Sequence, residues 1–276
     1  MQKYGELFVF CAVFLKNITF VKKIKQLGQH FLHNNQIAAD IVRALPIMDS
    51  TQKVFEIGPG EGVLTQYLVQ RADVDLHLVE LDARLPQLLR QKFPILRDRI
   101  IEQDVLHVRF DQFASEQFAI IGNFPYNISS QIMFKILDYK DQVRCMVGMF
   151  QKEVAERIVS PPNSKEYGIL SVLLQAYYSG EYLFTVAPHE FDPPPKVQSA
   201  VIRLVRNGQY DGLIKNERYF KTVVKTAFNQ RRKKLSNALG ALSFDTSQFP
   251  VAWLDRRAEQ LGVAEFIQLA NAWQPN

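Results

Sequence analysis

Apolar and polar residues follow two different rhythms between residues 53 and 149. Short β-branched and apolar runs typical of strands occupy residues 53–57, 76–80, 99–102, 118–121 and 143–149. Between them, apolar residues recur every three or four positions and predict helices over residues 64–71, 84–93 and 130–137. Because strand and helix alternate, the pattern predicts a parallel sheet with helices on both faces.

An apolar stripe at helical spacing precedes this region and is formed by Ile37, Ile41 and Leu45. The cap candidates Asn34 and Asn35 stand before it, and Pro46 ends it. We therefore expect a helix that packs beside the first strand.

The second half of the chain changes from strand-like to helical. Residues 178–186 and 199–205 have the composition of strands, and three consecutive prolines separate them, so we expect an antiparallel pair at the sheet edge. After Asn207 the pattern is helical over residues 217–228, 253–261 and 265–273. The sequence thus predicts an α/β domain over residues 22–206 and a small all-helical domain over residues 207–276.

The N-terminal extension, residues 1–21, contains an apolar run over residues 7–15. This run is far shorter than the ~20 residues that a membrane-spanning helix needs. It is also a poor signal peptide, because Lys3 is offset by Glu6 and no small-residue cleavage site follows. The remaining interpretations are a docked terminal segment, a flexible tail or a start codon assigned too early.

Composition narrows the class of protein. The 276 residues are 47% hydrophobic, which excludes a disordered chain and suits one large domain with a small one. Two cysteines, Cys11 and Cys145, exclude a disulfide scaffold and a cysteine-rich zinc site. We therefore expect a cytoplasmic protein with reduced thiols.

The net charge of +5 is concentrated in one segment. Residues 218–234 contain seven basic residues and no acid, so the remainder of the chain carries −2. Such a cluster is either a solvated helix face or a surface that follows nucleic-acid phosphates. The phosphate interpretation assigns RNA binding to Lys225, Arg231, Arg232, Lys233 and Lys234.

The carboxyl ends of parallel strands are where this type of sheet binds ligands. The first strand runs into residues 56–62 (EIGPGEG), a glycine-rich turn that allows close approach of the backbone to a ligand. A dinucleotide fingerprint would need glycine where Val63 stands, so a pyrophosphate site is disfavoured. A turn with a purely structural role remains the alternative.

Two acids follow the next strands. Glu80 can accept hydrogen bonds from ribose hydroxyls, and Asp104 can accept one from an exocyclic amine such as that of adenine. Either acid alone would usually be a solvated loop residue. Together with the glycine turn they predict a nucleoside pocket that holds no diphosphate.

Residues 122–127 (GNFPYN) follow the fourth strand and form the most specific motif in the sequence. An amide, backbone carbonyls and an aromatic ring stand side by side on a proline-stiffened turn. Carbonyl oxygens can accept from an amine, and the ring can stack on a planar base. The motif therefore favours a base that carries an amino group, although a simple turn remains possible.

Five ordered motifs resemble the rRNA adenine N6-dimethyltransferase family, in particular its bacterial small-subunit branch. They are residues 28–32 (GQHFL), 56–60 (EIGPG), 123–129 (NFPYNIS), 191–197 (FDPPPKV) and 228–233 (FNQRRK). The resemblance covers the chain from about Lys23 to its end and excludes residues 1–21. It implies a Rossmann-like S-adenosylmethionine-dependent methyltransferase domain followed by a small helical RNA-binding domain.

The resemblance implies S-adenosylmethionine as the methyl donor. The family's cofactor positions carry over to His30, Leu32, Gly58, Glu80, Asp104 and Asn123. No metal is expected, because His30 and His33 have no further ligands near them in the sequence.

Catalysis is assigned to Asn123, Pro125, Tyr126 and Phe191. We expect the Asn123 side-chain oxygen and the Pro125 carbonyl to accept the two hydrogens of the adenine amine as positive charge develops. Tyr126 should stack on one face of the adenine, and the resemblance assigns the other face to Phe191, which from its residue type alone could equally be a core residue.

The implied reaction is dimethylation of N6 on two adjacent adenines in the hairpin loop near the 3′ end of 16S rRNA. The partner would be rRNA within an immature 30S particle, the role small-subunit biogenesis, and the protein a monomer that binds neither membrane nor metal. Two alternatives stay open: a large-subunit methylase of the macrolide-resistance type, and an assembly factor that acts mainly by binding. An NAD-dependent oxidoreductase is disfavoured by Val63.

Overall fold

The computed structural model describes residues 30–46 and 51–274. The expectations for residues 1–21, and for Gly28 and Gln29 of the first motif, lie outside these ranges. No helix of the described residues is both long and apolar enough to cross a membrane.

Nine strands and nine helices are described in this part of the chain. The strands are β1 (Phe31–Leu32), β2 (Gln52–Ile57), β3 (Val74–Val79), β4 (Ile100–Ile101), β5 (Phe118–Asn123), β6 (Val143–Gln151), β7 (Tyr178–Val186), β8 (Phe191–Asp192) and β9 (Ser199–Arg206). The helices are α1 (Asn35–Arg43), α2 (Thr65–Leu68), α3 (Leu85–Lys92), α4 (Ser129–Asp138), α5 (Lys152–Val159), α6 (Ile169–Gln175), α7 (Glu217–Asn229), α8 (Leu235–Ala238) and α9 (Val263–Ala272).

A seven-stranded sheet forms the centre, in the order β4-β3-β2-β5-β6-β9-β7. The five strands from β4 to β6 are parallel, whereas β9 is antiparallel to both β6 and β7. The predicted parallel sheet and its antiparallel edge pair are both confirmed. Strand order reverses at β2, so the ends of β2, β3 and β5 border the crevice where such sheets bind ligands.

The sheet is buried on both faces because its strands alternate between two cores. Phe55 and Ile120 belong to the core that includes α4 to α7, whereas Val54 and Ile121 belong to the core that includes α1 to α3. Helices on both faces, as the alternating pattern predicts, are therefore present.

The helix α1 shows how local sequence sets an element boundary. The side chain of Asn34 accepts hydrogen bonds from the backbone N–H of Gln36 at 2.9 Å and of Ile37 at 3.1 Å. Asn34 is thus the N-cap that the sequence predicted. A stripe that includes Ile41 and Leu45 packs this helix into the core that contains Val54.

The C-terminal segment is helical, with one local correction. The prediction of a helix over residues 253–261 was wrong: the chain forms two short 3₁₀ segments, Val251–Asp255 and Ala258–Gln260, around extended backbone at Arg256 and Arg257. Side chains of α7, α8 and α9 belong to the same buried cluster as Phe118 of the sheet. The division into domains near residue 207 stays a prediction.

Strand β1 is held apart from the main sheet, in a two-stranded ladder with β8. Leu32 lies opposite Phe191, and Phe31 lies opposite Asp192. This ladder brings the start of the described chain and residues 191–199 to the carboxyl ends of the parallel strands.

Candidate active site

The glycine turn after β2 forms one wall of the site. Gly58 and Gly60 have φ values of +64° and +58°, a backbone conformation that side chains with a Cβ rarely adopt. A Cβ on Gly60 would come within 2.6 Å of the Phe31 ring. Glycine is therefore required both for the turn and for the approach of β1.

Two adjacent hollows open at the carboxyl ends of the strands. The first has a volume of about 150 Å³, the second about 270 Å³, and the two share Phe31, Gly58 and Asn123 in their walls. Seven predicted site residues line the first hollow: His30, Gly58, Glu80, Asp104, Asn123, Pro125 and Tyr126. The structure thus brings together side chains from segments that lie up to 96 residues apart in the sequence.

Two predicted residues lie elsewhere. Leu32 is buried and lines the second hollow, not the first. Phe191 is only 2% exposed, packs in the core cluster that also contains Leu32, and lines neither hollow. Its predicted contact with a base is therefore not made in this conformation.

The Glu80 side chain lines the first hollow and is 6% exposed. Its carboxylate accepts hydrogen bonds from the backbone N–H of Gly60 at 3.2 Å and of Asp82 at 2.8 Å. Burial nevertheless raises the pKa of Glu80 above its ordinary value. These bonds hold the carboxylate in place beside the glycine turn, where it can accept from a ligand hydroxyl.

Asp104 lies farther along the same wall and is half-buried. One carboxylate oxygen accepts from the backbone N–H of Leu106 at 2.9 Å, and the other lies 3.4 Å from the Nδ1 atom of His107. Because one oxygen caps a turn, the Asp104 side chain is held in place, and its other oxygen can still accept a hydrogen bond from a ligand.

Asn123 is oriented by the backbone of His30. Its Nδ2 atom donates to the His30 carbonyl at 2.8 Å, and no hydrogen bond within the described part of the chain ends on its Oδ1 atom. The nitrogen half of the amide is engaged, so the oxygen half is the one able to accept from a ligand. The His30 backbone thereby determines the chemistry that Asn123 presents.

The Phe124 ring anchors the turn that carries Asn123. Gly122 of β5 lies opposite Gly148 of β6, and a Cβ on Gly148 would come within 2.1 Å of the Phe124 ring. The ring fills this slot, is 1% exposed, and lies 4.9 Å from the Phe150 ring, measured between centroids. The pair Gly122 and Gly148 therefore leaves the space in which the Phe124 ring packs, and this packing fixes the turn.

The Pro125 carbonyl is already engaged within the turn. It accepts from the backbone N–H of Ile128 at 3.2 Å and lies 3.1 Å from the Ser129 hydroxyl, which is also 3.1 Å from the Tyr126 carbonyl. By contrast, no hydrogen bond among the described residues ends on the Phe124 carbonyl. Sequence reasoning missed this difference, because it depends on how the turn closes.

Tyr126 stands at the side of the first hollow with its ring against His30. The two ring centroids are 5.3 Å apart and the planes are inclined by 28°. The Tyr126 hydroxyl bonds to the Ser199 hydroxyl, and burial raises the pKa of Tyr126 above its ordinary value of 10.0. The phenol therefore stays neutral at physiological pH.

Sequence reasoning also missed a buried acid beside the site, Glu56, which is the second-last residue of strand β2 and borders the second hollow. It is 1% exposed and accepts a hydrogen bond from the Thr65 hydroxyl at 2.7 Å. Burial raises the pKa of Glu56 to about 8. An acidic residue between the apolar Phe55 and Ile57, two positions before Gly58, was the available signal.

The four basic residues 231–234 have different environments. Arg231 donates to the carbonyls of Ser164 and Lys165, and Lys234 lies 3.0 Å from Asp255. Arg232 and Lys233 are exposed, and no ion pair involves them in the part of the chain described.

Lys225 lies on α7, which ends at Asn229, before residues 231–234. Its ammonium lies 5.3 Å from the centroid of the Phe134 ring on α4.

A group of three or more His, Cys, Asp or Glu side chains able to hold a metal is absent from residues 30–46 and 51–274.

The sheet order, the glycine turn and the acids that end β3 and follow β4 define a Rossmann-like methyltransferase. The profile of the ribosomal RNA adenine dimethylase family matches residues 20–274. The chain therefore belongs to the ribosomal RNA adenine dimethylase family. Membership confirms the predicted fold class and the enzyme class, and the family is one of S-adenosylmethionine-dependent methyltransferases.

Curated relatives are similar over most of their length. The ribosomal RNA small subunit methyltransferase A of Parabacteroides distasonis is 53% identical over 250 residues, which cover 90% of this chain and 93% of that protein. The protein of the same name from Cytophaga hutchinsonii is 50% identical over 251 residues, 91% of this chain and 97% of that protein.

Solved structures show the same fold at lower identity. A dimethyladenosine transferase from Plasmodium falciparum superposes with a TM-score of 0.74 at 23% identity, over 88% of this chain and 99% of that one. The 23S rRNA methyltransferase ErmE superposes with a TM-score of 0.68 at 24% identity, over 88% of this chain and 98% of that one.

Proposed function

We propose that the protein dimethylates N6 of two adjacent adenines in the hairpin loop near the 3′ end of 16S rRNA, within an immature small subunit. The observation that carries the chemistry is the orientation of Asn123, whose amide nitrogen is held by His30 and whose oxygen is left to accept from an amine. The choice of the small subunit is supported by the relatives at 50% identity and above.

The residues of the first hollow fit an adenosyl group. Glu80 supplies a fixed carboxylate for the ribose hydroxyls, and Asp104 supplies an acceptor for the exocyclic amine of the adenine. Gly58 leaves room beside Asn123. A Cβ at this position would lie 4.0 Å from the Asn123 carbonyl oxygen and would occupy that space. S-adenosylmethionine bound here would supply a sulfonium methyl group.

His30 and Leu32 complete the proposed cofactor site from the side of β1. His30 lines the first hollow, and Leu32 lines the second, next to Gly58. We assign the second hollow to the amino-acid end of the cofactor, because it shares the glycine turn with the first.

The catalytic task of the protein is to hold the adenine amine in line with the methyl group and to keep water out. The Asn123 oxygen accepts one amine hydrogen, which favours a tetrahedral nitrogen as charge develops. No ionised base is needed in this step.

The second acceptor is better assigned to the Phe124 carbonyl than to the Pro125 carbonyl that the sequence suggested. Pro125 already accepts from Ile128 and lies within reach of Ser129, whereas Phe124 lines the hollow with no such bond described. In this proposal Pro125 acts by stiffening the turn, since proline fixes its own φ.

Tyr126 is proposed to stack on one face of a flipped adenine. Stacking on an aromatic ring contributes about 1–3 kcal/mol per base, and base extrusion costs a few kcal/mol. For Phe191 to cover the other face, the ladder of β1 and β8 would have to move, since its side chain is buried in that ladder.

The segment around α7 is proposed to hold the RNA. Lys225, Arg232 and Lys233 are exposed, and Arg231 and Lys234 continue the same basic stretch. We further propose that the protein is a monomer, acts in the cytoplasm and combines methylation with a role in small-subunit assembly.

One assay tests substrate and reaction together. Undermethylated small subunits are incubated with the protein and S-adenosylmethionine, and the rRNA is analysed by mass spectrometry beside free large-subunit RNA. We expect two dimethyladenosines in the small-subunit RNA. Methylation of the large-subunit RNA alone would instead indicate an enzyme of the macrolide-resistance type.

The Asn123→Ala variant tests the site itself. We expect cofactor affinity to stay within a few fold of the wild type while methylation is lost, because the side-chain amide acts on the amine and Asn123 is only one of six residues assigned to the cofactor. Unchanged methylation would contradict the proposed mechanism. If the wild-type protein binds small subunits but never methylates them, only the assembly role of the proposal would remain.

A further inference from the structure

A buried hydroxyl lies at the place where three strands meet beside the first hollow. Ser199 is the first residue of β9, lies opposite Gln151 of β6 and Val186 of β7, and is fully buried. Its hydroxyl bonds to the Tyr126 hydroxyl. A buried polar group requires such a partner, and here the partner is the ring proposed to stack on the base.

Three contacts together hold Tyr126. The Ser129 hydroxyl lies 3.1 Å from the Tyr126 carbonyl and steadies the turn. The His30 imidazole covers one face of the ring. Ser199 holds the far end of the side chain.

Both side-chain contacts depend on the connection from β8 to β9. The Nδ1 atom of His30 lies 2.8 Å from the Pro193 carbonyl, and Ser199 ends the same connection. Phe191, at its start, is buried and lines neither hollow. In this conformation the connection therefore acts on the site through Pro193 and Ser199.

We propose that Ser199 is a positioning residue, which fixes the plane of the Tyr126 ring so that a flipped adenine meets it face to face. The inference rests on the proposed function, because it takes Tyr126 as the stacking surface. Without the hydroxyl bond the ring would rotate about its side-chain torsions, and a smaller fraction of bound RNA would have its base aligned for transfer.

The hydroxyl pair has a structural role and no part in proton transfer. Burial raises the pKa of Tyr126, so its hydroxyl stays protonated through the working pH range. The hydroxyl bond therefore fixes the Tyr126 ring relative to the sheet. Its loss should lower the rate of methyl transfer without changing the pH dependence of that rate.

The test compares variants that remove the same bond from either side. We expect Ser199→Ala and Tyr126→Phe each to lower kcat by about threefold to tenfold, the range that one hydrogen bond supports. The KM for RNA and the affinity for S-adenosylmethionine should stay within twofold. The double variant should be no slower than the slower single variant, because both remove one shared bond.

A matched control is Ser171→Ala on α6. Ser171 is also fully buried and also bonded, to the Arg157 carbonyl and the Gly168 N–H, but it lines neither hollow. We expect this variant to lower the melting temperature while kcat stays unchanged. The comparison separates lost alignment from a general loss of stability.

Several outcomes would overturn the inference. They are a wild-type kcat in Ser199→Ala, rate losses that multiply in the double variant, and a kcat loss matched by Ser171→Ala. If Ser199→Ala does not fold, Tyr126→Phe still removes the bond and carries the test. Normal turnover by Tyr126→Ala would contradict the stacking proposal itself. If Tyr126→Ala loses turnover while Ser199→Ala keeps the wild-type rate, only the positioning role of Ser199 would be contradicted.

Discussion

Phe124 illustrates how a single residue shapes the turn that carries Asn123. Its ring occupies space that exists only because Gly122 and Gly148 have no side chains. The identity of Asn123 determines what the turn can bind, but the ring behind it determines where the amide lies. Gly148 on the neighbouring strand therefore helps to position Asn123, although it lines neither hollow.

The first prediction concerns this slot. In Gly148→Ala the new methyl would come within 2.1 Å of the Phe124 ring, so the ring and its turn must shift. We expect a destabilisation of about 1–3 kcal/mol in urea unfolding and a larger loss of methylation than of cofactor affinity. Gly168→Ala is the control, since its Cβ would meet nothing nearer than 3.8 Å.

The second prediction concerns Glu56 and pH. Burial raises its pKa from 4.5 to about 8, so the folded state holds this proton more tightly than the unfolded state. The carboxyl thus contributes stability that is complete below about pH 4.5 and is lost as the pH rises through about 8.

We therefore expect Glu56→Gln, which keeps an oxygen acceptor for Thr65, to gain stability relative to the wild type between pH 5 and pH 8. The relative gain should be on the order of a few kcal/mol and visible in melting temperatures. A difference between the two proteins that does not change with pH would show that Glu56 does not titrate in this way.

At the scale of elements, the sequence predicted the sheet well because each strand carries its own signal. The strands β2, β3 and β5 have apolar runs bounded by turns, and these runs match the observed bounds within two residues. The site could be predicted as far as the strand ends, since the carboxyl ends of parallel strands share one edge.

Two longer helices were not predicted: α5 has apolar residues at helical spacing that would have indicated it, whereas α6 lacks such a signal. Helix α6 contains five consecutive buried residues, Leu170 to Leu174, so it has no polar face and no helical period. The 3₁₀ segments at residues 251–260 show the reverse: a helical period was present, but Arg256 forms an ion pair with Glu265 and Arg257 bridges to Lys234 with extended backbone. Tertiary contacts outweighed local preference.

The third prediction concerns the start of α1. Asn34→Ala removes the cap from two backbone N–H groups and the bond from Asn34 to Glu190. We expect a loss of about 1 kcal/mol, measured by urea unfolding. Asn216→Ala, at the N-cap of α7, is the comparison, since it caps one N–H group. A loss at Asn34 below that at Asn216 would contradict the assignment.

At the scale of the whole molecule, charge is distributed very unevenly. Seven basic residues lie in residues 218–234, whereas the remainder carries −2. The sequence located this strip, but only the structure distinguishes Arg231 and Lys234, which have protein partners, from Arg232 and Lys233. Partners from distant segments, such as Ser164 and Asp255, could not be read from spacing.

The fourth prediction follows from that difference. The double variant Arg232→Ala/Lys233→Ala should weaken RNA binding and reduce the slope of log affinity against log salt by about 1.5, since each lost phosphate contact removes about 0.7–0.9. Arg43→Ala/Arg109→Ala removes the same charge from exposed positions outside the strip and should leave the slope nearly unchanged. Equal effects of the two pairs would show that only net charge matters.

Helix α4 connects the proposed catalytic turn with the proposed RNA-binding segment. It begins at Ser129, six residues after Asn123, and the centroid of its Phe134 ring lies 5.3 Å from the ammonium groups of both Lys221 and Lys225. From Ser129 to Phe134 the helix rises only about 8 Å. In the proposed function, α4 would therefore act as a short spacer between the turn that carries Asn123 and the lysines of α7, the segment proposed to hold the RNA.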